Sequence, residues 1–165
     1  MNTGWLLGGL ILLPMVLAFV CYGVGKKRKD LRDLLAVLAG LGELALALAA
    51  LFAPGEVLRF GSFGGLGLCL ALDGFRKVYA LVIALLWAVT LLFSREYFAH
   101  YHNRNRYCFF NLMTLGATMG VFLSGDLYTA FVCFEIMSFT SYVWVLHEQT
   151  EGAIRAANTY LAVAV

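Results

Sequence analysis

The segment LYTAFVCFEIMSFTSYVWVL, from Leu127 to Leu146, decides how the rest of the chain is read. It contains no lysine, arginine or aspartate, and it has the length that an α-helix needs to cross a hydrocarbon core of roughly 30 Å. One carboxylate interrupts it. Glu135 stands nine residues beyond Asp126 and twelve before His147, which at about 1.5 Å of rise per residue puts it close to a bilayer midplane. Holding an ionisable group at that depth is costly, so such a residue is a functional candidate by default.

Working outward, largely apolar runs of similar length recur at residues 4–25, 34–53, 78–93 and 107–123, and a sixth begins at 153 and is still apolar at Val165. The expected fold is therefore all-α, a polytopic transmembrane bundle with five complete spans and the start of a sixth. Hydrophobic residues make up 62% of the chain and charged residues only 13%, about half the charged share of an ordinary soluble domain. A half-built span would leave backbone amides unpaired in lipid, so the chain is expected to be a fragment, the N-terminal part of one transmembrane domain.

The charges between the runs set an orientation. Lys26, Lys27, Arg28, Lys29, Arg32, Arg95, Arg104, Arg106 and Arg155 fall on one side of the alternating spans, and Arg59, Arg76 and Lys77 on the other. Positively charged loops stay cytoplasmic, so the N-terminus is expected outside the cytoplasm, in a cell inner (plasma) membrane. No basic residue precedes the first apolar run, so that run is expected to be a first transmembrane helix rather than a cleaved leader. A net charge of +2 without a basic stripe excludes nucleic acid as a partner.

Between the second and third spans, Pro54 to Lys77 lacks helical periodicity. Leu66, Leu68, Leu70 and Leu72 alternate with Gly67, Cys69, Ala71 and Asp73 after Gly61, Gly64 and Gly65, the pattern of a half-buried strand. An external loop or hairpin is expected there. A phosphate-binding loop is the rival, but no lysine follows at the required spacing.

Polar residues inside the spans mark candidate surfaces. Tyr128, Glu135, Ser138 and Tyr142 share one face of the fifth run, and Asn111, Thr114 and Thr118 form a stripe on the fourth. Such stripes line aqueous paths or serve as interhelical glue, and Gly116 and Gly120 beside the second suit close helix approach. Glu43 is a secondary candidate, flanked by Gly40 and Gly42 with no polar neighbour at helical spacing. Cys21, Cys69, Cys108 and Cys133 are scattered without ligand spacing, and His100, His102 and His147 lie at the ends of runs. No metal site and no cofactor motif follows from them.

The run SGDLYTAFVCFEIMSFTSY, Ser124 to Tyr142, followed by RAANTY, Arg155 to Tyr160, resembles the antiporter-like membrane subunits shared by respiratory complex I, membrane-bound hydrogenases and Mrp-type multisubunit cation/proton antiporters. FGGLGLCLALDG, Phe63 to Gly74, fits the same family. The resemblance implies a larger bundle of inverted repeats. Within it, Glu135 matches a glutamate that pairs with a lysine on a later, broken helix in half of a proton channel. Relatives often carry a lysine where Thr159 stands. The implied function is proton translocation within a redox-driven complex, such as NADH:quinone oxidoreductase, or in a cation/proton antiporter, with sodium as a second cargo. The implied partners are other membrane subunits, which would hold any flavin, cluster or quinone. The rival from another class is a non-conducting membrane scaffold of the same kind of assembly.

Overall fold

The computed structural model describes residues 3–63, 66–97, 104–147 and 149–164. In chain order the elements are α1 (Thr3–Gly25), α2 (Lys29–Phe52), β1 (Glu56–Phe63), β2 (Leu66–Leu72), α3 (Gly74–Tyr97), α4 (Arg104–Phe122), α5 (Leu127–Val145) and α6 (Glu151–Ala164). Among the described residues, four helices, α1, α2, α3 and α5, are long and apolar enough to cross a membrane. The chain is a multi-pass membrane protein.

Of the five spans expected, the one at α4 does not meet this measure of length and apolarity, and the reason lies in its sequence. That helix has 19 residues, but it opens with Arg104, Asn105 and Arg106 and carries Asn111, Thr114 and Thr118. Packed between α1 and α5, it has every residue from Thr114 to Gly120 buried. Other helices, not lipid, solvate its side chains, and small and polar residues suit that position. A Cβ added at Gly116 would lie 2.6 Å from the Ile11 carbonyl oxygen of α1, and one at Gly120 would lie 2.7 Å from Cys133 Sγ of α5. The two glycines therefore let different neighbours approach.

Between α2 and α3, where a loop or hairpin was expected, β1 and β2 form an antiparallel hairpin. Leu58 stands opposite Leu70, and Phe60 opposite Leu68. The outer edge of β2 is occupied. The Ala71 amide donates to the Leu123 carbonyl at 2.8 Å, and the Gly125 amide donates to the Cys69 carbonyl at 2.6 Å, so the turn between α4 and α5 completes backbone pairing that an exposed edge would leave open. Gly64 and Gly65, expected to introduce the strand, lie outside the described residues.

Two apolar clusters fill the bundle. One, toward the hairpin, gathers Leu7, Leu10, Ala47, Leu72 and Leu115; the other, toward the basic end, gathers Ala18, Ala36, Leu91, Cys108 and Leu112. At the basic end Asp33 accepts from Arg32 at 2.7 Å and from Arg104 at 2.9 Å. Arg32, read from the sequence as a loop charge, is 2% exposed within the first turn of α2. Its neutralisation by Asp33 is what allows that burial.

Candidate functional site

The junction Ser124-Gly125-Asp126 sets where α5 begins, and each of its residues has a physical task. The Ser124 carbonyl accepts from Arg76 Nε at 3.0 Å and from a terminal guanidinium nitrogen at 2.8 Å, while the same guanidinium pairs with Asp73. A Cβ at Gly125 would lie 2.5 Å from Cys69 Sγ, so only glycine lets β2 approach this closely. Asp126 caps α5, accepting from the Thr129 amide at 2.7 Å, the standard means of satisfying a helix's free amides. Thr129 Oγ1 in turn accepts from the Cys69 amide at 2.8 Å. Backbone hydrogen bonding from Thr129, and then its hydroxyl, hold the Asp126 carboxyl below its ordinary range; backbone and side-chain bonds from Arg76 lower Asp73.

With its start fixed, α5 turns one face to α4. Cys133 meets Gly120, and the Thr114 hydroxyl donates to Thr140 Oγ1 at 2.9 Å across a buried contact. Further along, Trp144 stacks on Tyr107, with ring centroids 6.1 Å apart, and on Trp87, 6.2 Å apart. At 3.6 residues per turn, Glu135 lies about 200° around the helix from Cys133, on the side away from α4. It is half-buried, Tyr128 beside it is exposed, and Ser138 is fully buried. The Ser138 hydroxyl has no hydrogen-bond partner among the described residues. Tyr142 donates to Asn158 Oδ1 of α6 at 3.3 Å. Thr159, by contrast, bonds back to the Arg155 carbonyl at 3.0 Å.

The stripe on α4 does not join that face. The Asn111 side-chain oxygen accepts from Trp87 Nε1 at 2.8 Å, and its amide donates to the Tyr107 hydroxyl at 3.3 Å. Thr114 is committed to Thr140, and the Thr118 hydroxyl donates to the Thr114 carbonyl at 2.7 Å. These residues tie α3, α4 and α5 together, and the body of α5 separates them from Glu135. Thr140 was missed from the sequence, although its spacing of seven from Cys133 placed it on the α4 side.

Glu43 is enclosed. It is 0% exposed, and neither carboxyl oxygen meets a donor among the described residues. Ala36, Ala39, Gly40, Ala47 and Ala50 line the same buried side of α2, so the carboxyl sits in a stripe of small residues. A Cβ at Gly40 would come 3.3 Å from Ala88 Cα of α3. His100 and His102 lie outside the described residues, and His147 packs edge-on against Tyr107, with centroids 5.6 Å apart.

The helix bundle with its docked hairpin, together with the Ser124–Tyr142 run, is similar to subunits of multisubunit antiporters and of a respiratory membrane complex. The chain is 24% identical to a Na(+)/H(+) antiporter subunit of Alkalihalophilus pseudofirmus, over 96% of this chain and 34% of that protein. It is 28% identical to a probable K(+)/H(+) antiporter subunit of Rhizobium meliloti, over 93% of this chain and 30% of that one. Its fold matches a chain of the membrane-bound sulfane sulfur reductase, an archaeal respiratory membrane complex, with a TM-score of 0.84 and 23% identity over 94% of this chain and 33% of the other. The chain thus spans about a third of the length of the curated relatives it matches. No family model matches it.

Proposed function

We propose that the chain is the N-terminal part of one antiporter-like transmembrane domain, in a proton-translocating membrane subunit of a multisubunit complex. That complex is either redox-driven or exchanges cations for protons, with sodium as a second cargo. The observation that carries this reading is the position of Glu135: a carboxylate half-way along α5, on the face that α1 to α4 leave uncovered. Ser138 stands one turn along with a hydroxyl that has no hydrogen-bond partner among the described residues, and Tyr142 follows one turn further on. A cation brought to that face by another helix would favour the ionised carboxylate, and its withdrawal would favour the protonated form. Alternation between the two moves a proton.

In this reading α4 crosses the membrane as a fifth span inside the protein, its polar side chains met by α1, α3 and α5. The hairpin lies on the external side, the basic ends of the helices face the cytoplasm, and the N-terminus is outside, in the cell's inner membrane. Other membrane subunits and the lipid bilayer are its partners. The test is proton movement into vesicles by assembled complex carrying Glu135→Gln, which preserves shape and hydrogen bonding but cannot release a proton. Loss of transport with normal assembly is expected. Transport at the wild-type rate would replace this reading with that of a non-conducting scaffold.

A further inference from the structure

The enclosed carboxyl of Glu43 belongs to a different part of the molecule from Glu135, and a small cavity lies along the same helix toward the basic end of the bundle. On the basic side, Asp33, Ala36, Leu91, Ser94, Arg104 and Tyr107 line a cavity of about 10 Å³, room for roughly one water molecule. The Tyr107 hydroxyl accepts from Asn111, and Asn111 from Trp87, so polar groups continue from this cavity toward the middle of α3 and α4. On α2, Ala36, Gly40 and Glu43 succeed one another along a single buried face. Glu43 is ten residues beyond Asp33, roughly 15 Å along the helix. Leu91, which lines the cavity, packs against Gly40: a Cβ there would meet Leu91 Cδ1 at 2.7 Å. It is the apolar plug between the cavity and the carboxyl.

We propose that Glu43 is a proton-binding site separate from Glu135, a carboxylic acid enclosed by α1 to α4 that exchanges its proton with the basic end of the bundle through the Asp33–Tyr107 cavity, past Leu91. The other charged and titratable side chains of these helices stand toward helix ends. On α2 they are Lys29, Asp30, Arg32 and Asp33, with Asp33 paired to Arg32 and Arg104. Cys21 and Tyr22 lie toward the end of α1. Arg76, Lys77 and Tyr79 lie toward the start of α3 and Arg95, Glu96 and Tyr97 end it, while Arg104, Arg106, Tyr107 and Cys108 begin α4. Neither Glu43 oxygen has a hydrogen-bond partner among the described residues. An isolated ionised carboxylate would face a large desolvation cost there.

The experiment is infrared spectroscopy of the full-length protein in membranes at neutral pH, with every variant built on Glu135→Gln so that the other carboxylate is silent. A protonated-carboxyl carbonyl band should be present, vanish in Glu43→Gln, and shift on transfer to deuterium oxide. Tyr107→Phe should slow that shift severalfold and Leu91→Ala should speed it. The proposal is overturned if no Glu43-dependent band exists, if the band never exchanges, or if neither variant changes its rate. None of these readouts depends on Glu135 carrying protons.

Discussion

Replacing Gly116 by alanine tests the α1–α4 contact on which the bundle is centred. The added methyl would lie 2.6 Å from the Ile11 carbonyl oxygen, 2.6 Å from Met15 Cγ and 3.3 Å from Pro14 Cγ. Met15 can rotate aside, but the Ile11 oxygen is backbone. An ordinary carbon–oxygen contact is about 3.3 Å or more, so the two helices must separate by roughly 0.7 Å. Overpacking of this kind typically costs about 1–3 kcal/mol, against a gain of up to about 1 kcal/mol from the better helix propensity of alanine. A net loss of about 1–2 kcal/mol is expected. Gly42→Ala is the control, since a Cβ there meets nothing within 4 Å; it should be neutral or stabilising by up to about 1 kcal/mol. The assay is unfolding of purified full-length protein in mixed micelles by a graded denaturing detergent, followed by circular dichroism. If Gly116→Ala is as stable as Gly42→Ala, the inferred approach of α1 and α4 is wrong.

Thr129→Val should weaken the docking of the hairpin by about 1–3 kcal/mol, because the buried Cys69 amide loses its acceptor, and hydrogen exchange at Cys69 should accelerate. The depressed carboxyls of Asp73 and Asp126 give the same junction a pH dependence. A group whose folded pKa lies below its unfolded value contributes stability above the unfolded pKa and loses it as pH falls through the folded one. Protection of the Ala71 and Gly125 amides, corrected for intrinsic exchange, should therefore be full above the ordinary carboxylate range and decline as pH falls through that range and below it; loss beginning above that range would contradict the assignment. Reporter fusions after Lys27 and Arg106 should read cytoplasmic and one after Arg59 external, with reversal at two of the three sites overturning the orientation.

Period and hydropathy carried much of the architecture. The apolar runs became helices, and the leucine alternation from Leu66 to Leu72 became β2, because both signals are local and repeat along the chain. What escaped was set by partners distant in sequence. The α4 stripe looked like one surface, yet Asn111 turns to Trp87 and Thr114 to Thr140, and periodicity cannot say which neighbour a face meets. Arg32 counted as a loop charge because its burial comes with packing at the start of α2, where α4 brings Arg104 to Asp33 as well. Glu43 was ranked below Glu135 for want of polar neighbours on its own helix. The structure shows that this same lack makes its burial the more severe. The SGD run carried the resemblance, but its reason lies in the close passage of β2, more than fifty residues earlier.

The central claim is that the uncovered face of α5 carries a titrating group, and a graded series at position 135 addresses it most directly. Complexes carrying Glu135→Asp and Glu135→Gln would be reconstituted into vesicles, and proton uptake normalised to assembled complex. Aspartate keeps the exchangeable proton about one methylene further back, so partial transport is expected, whereas glutamine should abolish it despite equal assembly. Transport by the glutamine variant at or above the level of the aspartate variant would contradict the account.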